Sequence, residues 1–187
     1  MAVPQLILLN GPPASGKSTM AQLLVAARPL ALNLDVDVVR GSLGGWSEQP
    51  DTAGLAARRL AVAMATVHLT DGHDVVVPQL LARDTFIVEL EAVADATGAQ
   101  FVEIALVVDR EEAVRSFRLR STAPDNQQHR DAAELAERSG GLDAVGELYD
   151  RLMRFLDGRP SVRRVPVTYG DVVATLRLVE AAIAAEP

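Results

Sequence analysis

The chain has 187 residues, 49% apolar and 23% charged, which suits one folded domain with a single core and excludes a disordered tail. Its 18 basic and 25 acidic residues leave a formal charge of −7, against a protein that grips long nucleic acid by neutralising phosphates. It has no cysteine, which removes disulfides, thiolate catalysis and cysteine zinc sites and fits an intracellular, cytoplasmic setting.

Residues 1–10 carry no basic leader and no small-residue cleavage site, so they read as a first strand and not as an export signal. No run reaches the roughly 18–20 apolar residues of a membrane span. The apolar run at 5–9 is followed by Asn10-Gly11-Pro12-Pro13-Ala14-Ser15-Gly16-Lys17-Ser18-Thr19, then by a helical pattern to about Arg28. A strand, Gly-x-x-x-x-Gly-Lys-Ser and a helix are the setting of a Walker A phosphate loop. Glycines let the backbone curl so that its N–H groups point at phosphate oxygens, and the helix N-terminus adds partial positive charge. Lys17 can reach the terminal phosphates as a point charge, and Ser18 offers a hydroxyl to Mg²⁺. Of the 18 basic residues 17 are arginine, and the only lysine is Lys17. A planar guanidinium fork suits this cramped loop poorly, which explains the exception.

Further β-prone runs lie near 30–34, 74–78, 101–108 and 162–167, separated by helical patterns. This alternation predicts an α/β fold with a parallel sheet covered on both faces, in one domain spanning 1–187. After the second run comes Asn33-Leu34-Asp35-Val36-Asp37-Val38-Val39-Arg40. In a parallel sheet its carboxylates face the same crevice as the phosphate loop. Asp35 can hold Mg²⁺ or its water, and Asp37 can take a proton from an attacking hydroxyl. Arg40, three residues on, can steady Asp37 or grip an anionic acceptor. The plainer alternative is that Asp35 ends the strand and Asp37 caps the next helix.

Helical stripes follow: Leu60, Met64 and Val67 beside Arg58 and Arg59; Ile87, Leu90 and Ala94, ended by Gly98; Leu142, Val145, Tyr149, Leu152 and Leu156, closed by Gly158 as a C′ residue; and Val172, Leu176, Val179 and Ile183, with Asp171 as N-cap. Asp109 ends an apolar run as a Walker B acid would, but Asp109-Arg110-Glu111-Glu112 reads better as a capping box. Arg115, Arg118 and Arg120 precede a polar stretch at about 121–131, the natural place for a mobile lid, with Arg130 the cation that lid closure would deliver to a transferring phosphoryl group. His68, His73 and His129 lack metal-ligand spacing and are expected to be structural or exposed. Trp46 either flanks the acceptor site or packs over the core.

The pattern Gly-Pro-Pro-Ala-Ser-Gly-Lys-Ser-Thr followed by Asp35-x-Asp37-x-x-Arg40 resembles small P-loop kinases such as shikimate and gluconate kinases, chloramphenicol phosphotransferase, zeta toxins and polynucleotide 5′-kinases. The resemblance implies a nucleoside-monophosphate-kinase-like sheet of five parallel strands flanked by helices, with a lid. It also implies ATP with Mg²⁺, and transfer of the γ-phosphoryl group to a hydroxyl of a small-molecule acceptor. Gly11, Pro13, Ala14, Ser15, Gly16, Lys17, Ser18 and Thr19 would hold the nucleotide, with Arg120 at the position that packs on adenine or touches phosphate. Ser18 and Asp35 would face the metal, and Asp37 and Arg40 the acceptor. Pro78-Gln79 stands where many relatives carry an acid, which leaves Gln79 as an acceptor contact. A nucleotide-dependent ATPase or switch, or a toxin-like or nucleic-acid-end kinase, is the alternative. A Ras-like GTPase is disfavoured, because its guanine-reading element needs a second lysine.

Overall fold

A computed structural model describes residues 3–185. Five strands, β1 (Gln5–Asn10), β2 (Leu32–Asn33), β3 (Val75–Pro78), β4 (Gln100–Val107) and β5 (Arg163–Pro166), pair in parallel in the order β2-β3-β1-β4-β5. β1 lies between β3 and β4, and its residues Leu6–Leu9 are wholly buried, as an unbroken apolar run must be when helices cover both faces. The eight α-helices among the described residues are α1 (Lys17–Ala26), α2 (Val36–Gly41), α3 (Pro50–Thr70), α4 (Thr85–Thr97), α5 (Arg110–Thr122), α6 (Gln127–Arg138), α7 (Gly141–Asp157) and α8 (Val172–Ala184). This is the α/β fold of P-loop proteins.

Strand alternation sorts the core into two layers. Leu6, Leu8, Val75 and Val77 face α3 and α4, meeting Ala57, Ala61, Leu69, Phe86 and Leu90. Ile7, Leu9, Val76 and Ile104 face the other way, onto Met20 and Leu24 of α1 and Val179 and Ile183 of α8. A third cluster seats Leu152 and Leu156 of α7 on Ala105.

The stripe expected on α3 is corrected. Leu60, Met64 and Val67 are exposed, and the helix buries Ala53, Ala57, Ala61, Ala65 and Leu69, a four-residue repeat of mostly methyl side chains that lets it lie close to the sheet. Asp171 and Asp109 cap α8 and α5, accepting the N–H groups of Ala174 and Glu111, each at 2.9 Å. Gly98 ends α4 in the left-handed region at φ 68°, whereas Gly158 follows α7 at φ −82° and is not a left-handed C′ residue. The stretch 121–131 is not a long loop. α5 runs to Thr122 and α6 starts at Gln127, its N-cap Asn126 accepting from the His129 N–H at 2.9 Å, so only a short corner separates the two helices.

Candidate functional site

The phosphate loop leaves the carboxyl end of β1, and the residue at its root holds it in place. Asn10 is fully buried and works as a clip. Its Oδ1 accepts from the N–H of Gly11 at 2.8 Å and of Leu81 at 3.0 Å, and its Nδ2 donates to the Leu81 carbonyl at 2.9 Å. The loop is thereby tied to the segment leaving β3, which carries Gln79. Gly11 has φ +151°, and a Cβ there would stand 2.8 Å from Ser15 Oγ and 2.9 Å from the Leu106 carbonyl, so no other residue fits without displacing the loop. Tyr169, from the β5–α8 connection, donates its hydroxyl to the Ala14 carbonyl at 3.1 Å and props the loop from outside.

Lys17, at the start of α1, folds its Nζ back onto the carbonyls of Gly11 and Pro12 at 2.9 and 2.8 Å. Burial pushes its ammonium down to about 7, with Arg120 adding to the effect and Asp37 and Asp35 opposing it. Ser15 Oγ is buried beneath the curl with no partner. The loop therefore presents a concavity whose ammonium is held only by its own carbonyls, which fits an anionic phosphate chain.

Opposite the loop, α2 places the acids. The alternative reading is corrected: β2 ends at Asn33, and Asp35, not Asp37, caps α2 by accepting the Asp37 N–H at 2.9 Å, while it also lines the same cavity as Lys17. Burial first, then the neighbouring Asp37, raises the pKa of Asp35 above the ordinary carboxylate range. A crowded, partly dehydrated carboxylate of this kind fits a divalent cation, and the Ser18 hydroxyl faces the same space. Asp37 pairs with Arg40 at 2.9 Å, and the Arg40 guanidinium lies 4.9 Å from the centre of the Trp46 ring. Trp46 thus backs Arg40 and does not line the cavity.

The cavity is about 850 Å³. Of the residues expected at the site, Pro13, Ala14, Lys17, Ser18, Asp35, Asp37, Arg40, Gln79 and Arg120 line it. Gly11 and Ser15 lie buried under the loop, Gly16 caps α1, and Thr19 is exposed in the first turn of that helix. Arg130 is not brought to the cavity. It sits exposed on α6, its Nε donating to Gln127 of the same helix at 3.0 Å. The cation that the α5–α6 corner does present is Arg120, half-buried 5.4 Å from the Phe117 ring, its pKa lowered by burial.

His129 also lines the cavity, and burial, then Arg120, lowers its pKa. Asp109 caps α5 and stays outside the cavity, as the capping-box reading requires. No group of three ligand-type acids or histidines is present among the described residues, and none of their helices is long and apolar enough to cross a membrane.

Asn10, Asn33, Tyr169 and the α6–α7 wall of the cavity have no sequence signal comparable to the phosphate loop. Asn10 is visible only as the polar residue closing an apolar strand, and Tyr169 reaches the loop from 155 positions away along the chain.

The AAA domain family model matches residues 6–143. Among solved structures, a protein from Chloroflexus aurantiacus is 17% identical with a TM-score of 0.67, over 98% of this chain and 97% of its own. A gluconokinase from Sinorhizobium meliloti is 14% identical with a TM-score of 0.59, over 98% and 94%. The tunicamycin resistance protein of Deinococcus radiodurans is 16% identical with a TM-score of 0.58, over 97% and 94%. No curated protein matches the chain.

Proposed function

The chain belongs to the AAA domain family, with the fold of small P-loop kinases, and from that premise we propose that it transfers the γ-phosphoryl group of ATP to a hydroxyl of a small-molecule acceptor. One observation carries the reading: Lys17 and Ser18 of the phosphate loop, the carboxylates of Asp35 and Asp37, and the guanidinium of Arg120 line one cavity that also has room for a second substrate.

In the proposed reaction the loop amides and Lys17 bind the phosphate chain, Lys17 exchanging its two carbonyl partners for phosphate oxygens. Ser18 and Asp35 would hold Mg²⁺, which when bound neutralises charge on the phosphates. Asp37, kept in place by Arg40, orients the acceptor hydroxyl and accepts its proton as the oxygen attacks phosphorus and ADP leaves. Arg120 offsets charge spread over the transferring oxygens. Arg120, and not Arg130, takes the role of the lid cation, because only Arg120 reaches the cavity. A hydrolytic switch would need no second compartment, and the cavity wall formed by α6 and α7 therefore favours transfer over hydrolysis.

The test compares two variants with γ-labelled ATP and a metabolite extract. Lys17→Ala is expected to lose nucleotide binding and all transfer. Asp37→Asn is expected to bind ATP normally and to lose turnover by roughly 10²–10⁴-fold, the usual worth of a positioned base. Turnover of Asp37→Asn within threefold of the unsubstituted chain refutes the base assignment, and release of label only as inorganic phosphate refutes transfer.

A further inference from the structure

The wall of the cavity formed by α6 and α7 has a different chemistry. Ala132, Leu135 and Ala136 on α6 and Ala144, Val145 and Leu148 on α7 line it with six apolar side chains, beside Glu147 and Arg151 of α7. On α6 this is the whole apolar face, and it covers no core. The only buried residue of that helix is Asp131, and none of the three apolar core clusters includes an α6 side chain. An amphipathic helix that spends its apolar face on a cavity leaves that face to be covered by whatever enters.

The wall at the carboxyl ends of β2 and β3 is polar in a specific sense. Gln79 Oε1 and Asn33 Oδ1, at the carboxyl ends of adjacent strands, are buried acceptors with no partner, and Arg40 Nε is a buried donor with none. All three side chains line the cavity beside Asp37. Amide oxygens left unpaired in a protein interior are costly, and hydroxyl groups are the donors that satisfy them. Of the cations that line the cavity, Arg40 is engaged by Asp37 and Trp46 and Lys17 by the phosphate loop, whereas Arg120 and Arg151 pair with no carboxylate among the described residues. A compact polyanion would strand the six apolar side chains.

We infer that the acceptor is a two-part molecule, with a hydroxyl-bearing head held among Asp37, Asn33 and Gln79 and an apolar body lying on the α6–α7 wall. This rests on the phosphotransferase reading and adds the class of substrate. The chemical balance is unchanged: one head-group oxygen forms the new P–O bond, the bond to ADP breaks, and the hydroxyl proton passes to Asp37.

The experiment uses a matched pair, methyl and phenyl β-D-glucopyranoside, which share a hydroxylated head and differ by one ring. Binding to the full chain is measured by titration calorimetry with Mg²⁺ and a non-hydrolysable ATP analogue. The phenyl glucoside is expected to bind at least tenfold more tightly, about 1.4 kcal/mol. Leu148→Asn and Leu135→Asn are each expected to erase that preference while leaving the affinity for the ATP analogue unchanged. Equal affinities, no binding of the phenyl glucoside, or tighter binding of a short 5′-hydroxyl oligonucleotide overturns the inference.

The analogue's own affinity separates the two levels. If the analogue does not bind the unsubstituted chain, the phosphotransferase reading falls. If it binds while the glucosides are indistinguishable, only the acceptor class falls. Should either leucine variant melt early, the glucoside pair on the unsubstituted chain still decides.

Discussion

Replacing Asn10 by alanine tests whether the root of the phosphate loop is held by one side chain. Asn10 is fully buried and satisfies three backbone groups, the N–H of Gly11, the N–H of Leu81 and the Leu81 carbonyl, at 2.8–3.0 Å. Asn10→Ala leaves all three unpaired in the interior. At about 1 kcal/mol each, the low end for buried backbone groups, the loss is about 3 kcal/mol. For a domain of this size that lowers Tm by roughly 6–12 °C. The two segments it joins, the loop and the exit of β3, also come apart, so nucleotide affinity falls together with the contribution of Gln79. Thermal and urea unfolding read the first effect, and calorimetric titration with ATP reads the second. A stability loss below about 1 kcal/mol with unchanged nucleotide affinity would refute the clip.

Gly11→Ala is expected to impair nucleotide binding more than tenfold, since the added carbon meets Ser15 Oγ and the Leu106 carbonyl within 3 Å; near-normal affinity would show that the loop yields freely. Lys17, held near 7 while free, is drawn back to its charged form by phosphates, so at pH 8 nucleotide binding takes up a proton and the affinity strengthens as the pH falls from 8 toward 7. Calorimetry in two buffers of different ionisation enthalpy measures that uptake, and a null result contradicts the assignment. Arg159 bridges the buried Glu103 at 2.7 Å and Glu91 at 3.1 Å, so Arg159→Leu strands Glu103 beneath the sheet. The expected cost is about 3–5 kcal/mol, read by urea unfolding, and Glu103→Gln in the same background should recover part of it.

Local chemistry explains what was legible early. The phosphate loop is readable because its chemistry is contiguous: glycines, a lysine and a hydroxyl at fixed offsets between a strand and a helix. The runs at 5–9, 74–78 and 101–108 became the inner strands β1, β3 and β4, which are largely apolar because helices cover both faces, whereas the edge strands β2 and β5 are short and only partly buried, β5 opening with Arg163 and Arg164. Asp35 and Asp37 were visible as a pair because both lie on one short segment after β2.

Elsewhere local pattern misled. On α3 the large residues Leu60, Met64 and Val67 drew attention, but contact with the sheet went to the alanines, since close approach favours small side chains over hydrophobic ones. Arg130 looked mobile because its neighbours are polar, yet those same neighbours fold into α6 and hold it on the outside. Arg120, in the last turn of α5 and assigned to the nucleotide only by the family resemblance, is the cation of that stretch that lines the cavity.

By itself, then, the order of residues settled a parallel sheet with a phosphate-binding turn and a carboxylate pair beyond it, since each depends on neighbours in the chain. Which arginine lines the cavity, which polar atoms are left unpaired and where α6 points its leucine all depend on residues tens of positions apart. Those were decided only when the helices packed, because the free energy of burying a face belongs to the pair of surfaces that meet and not to either segment alone.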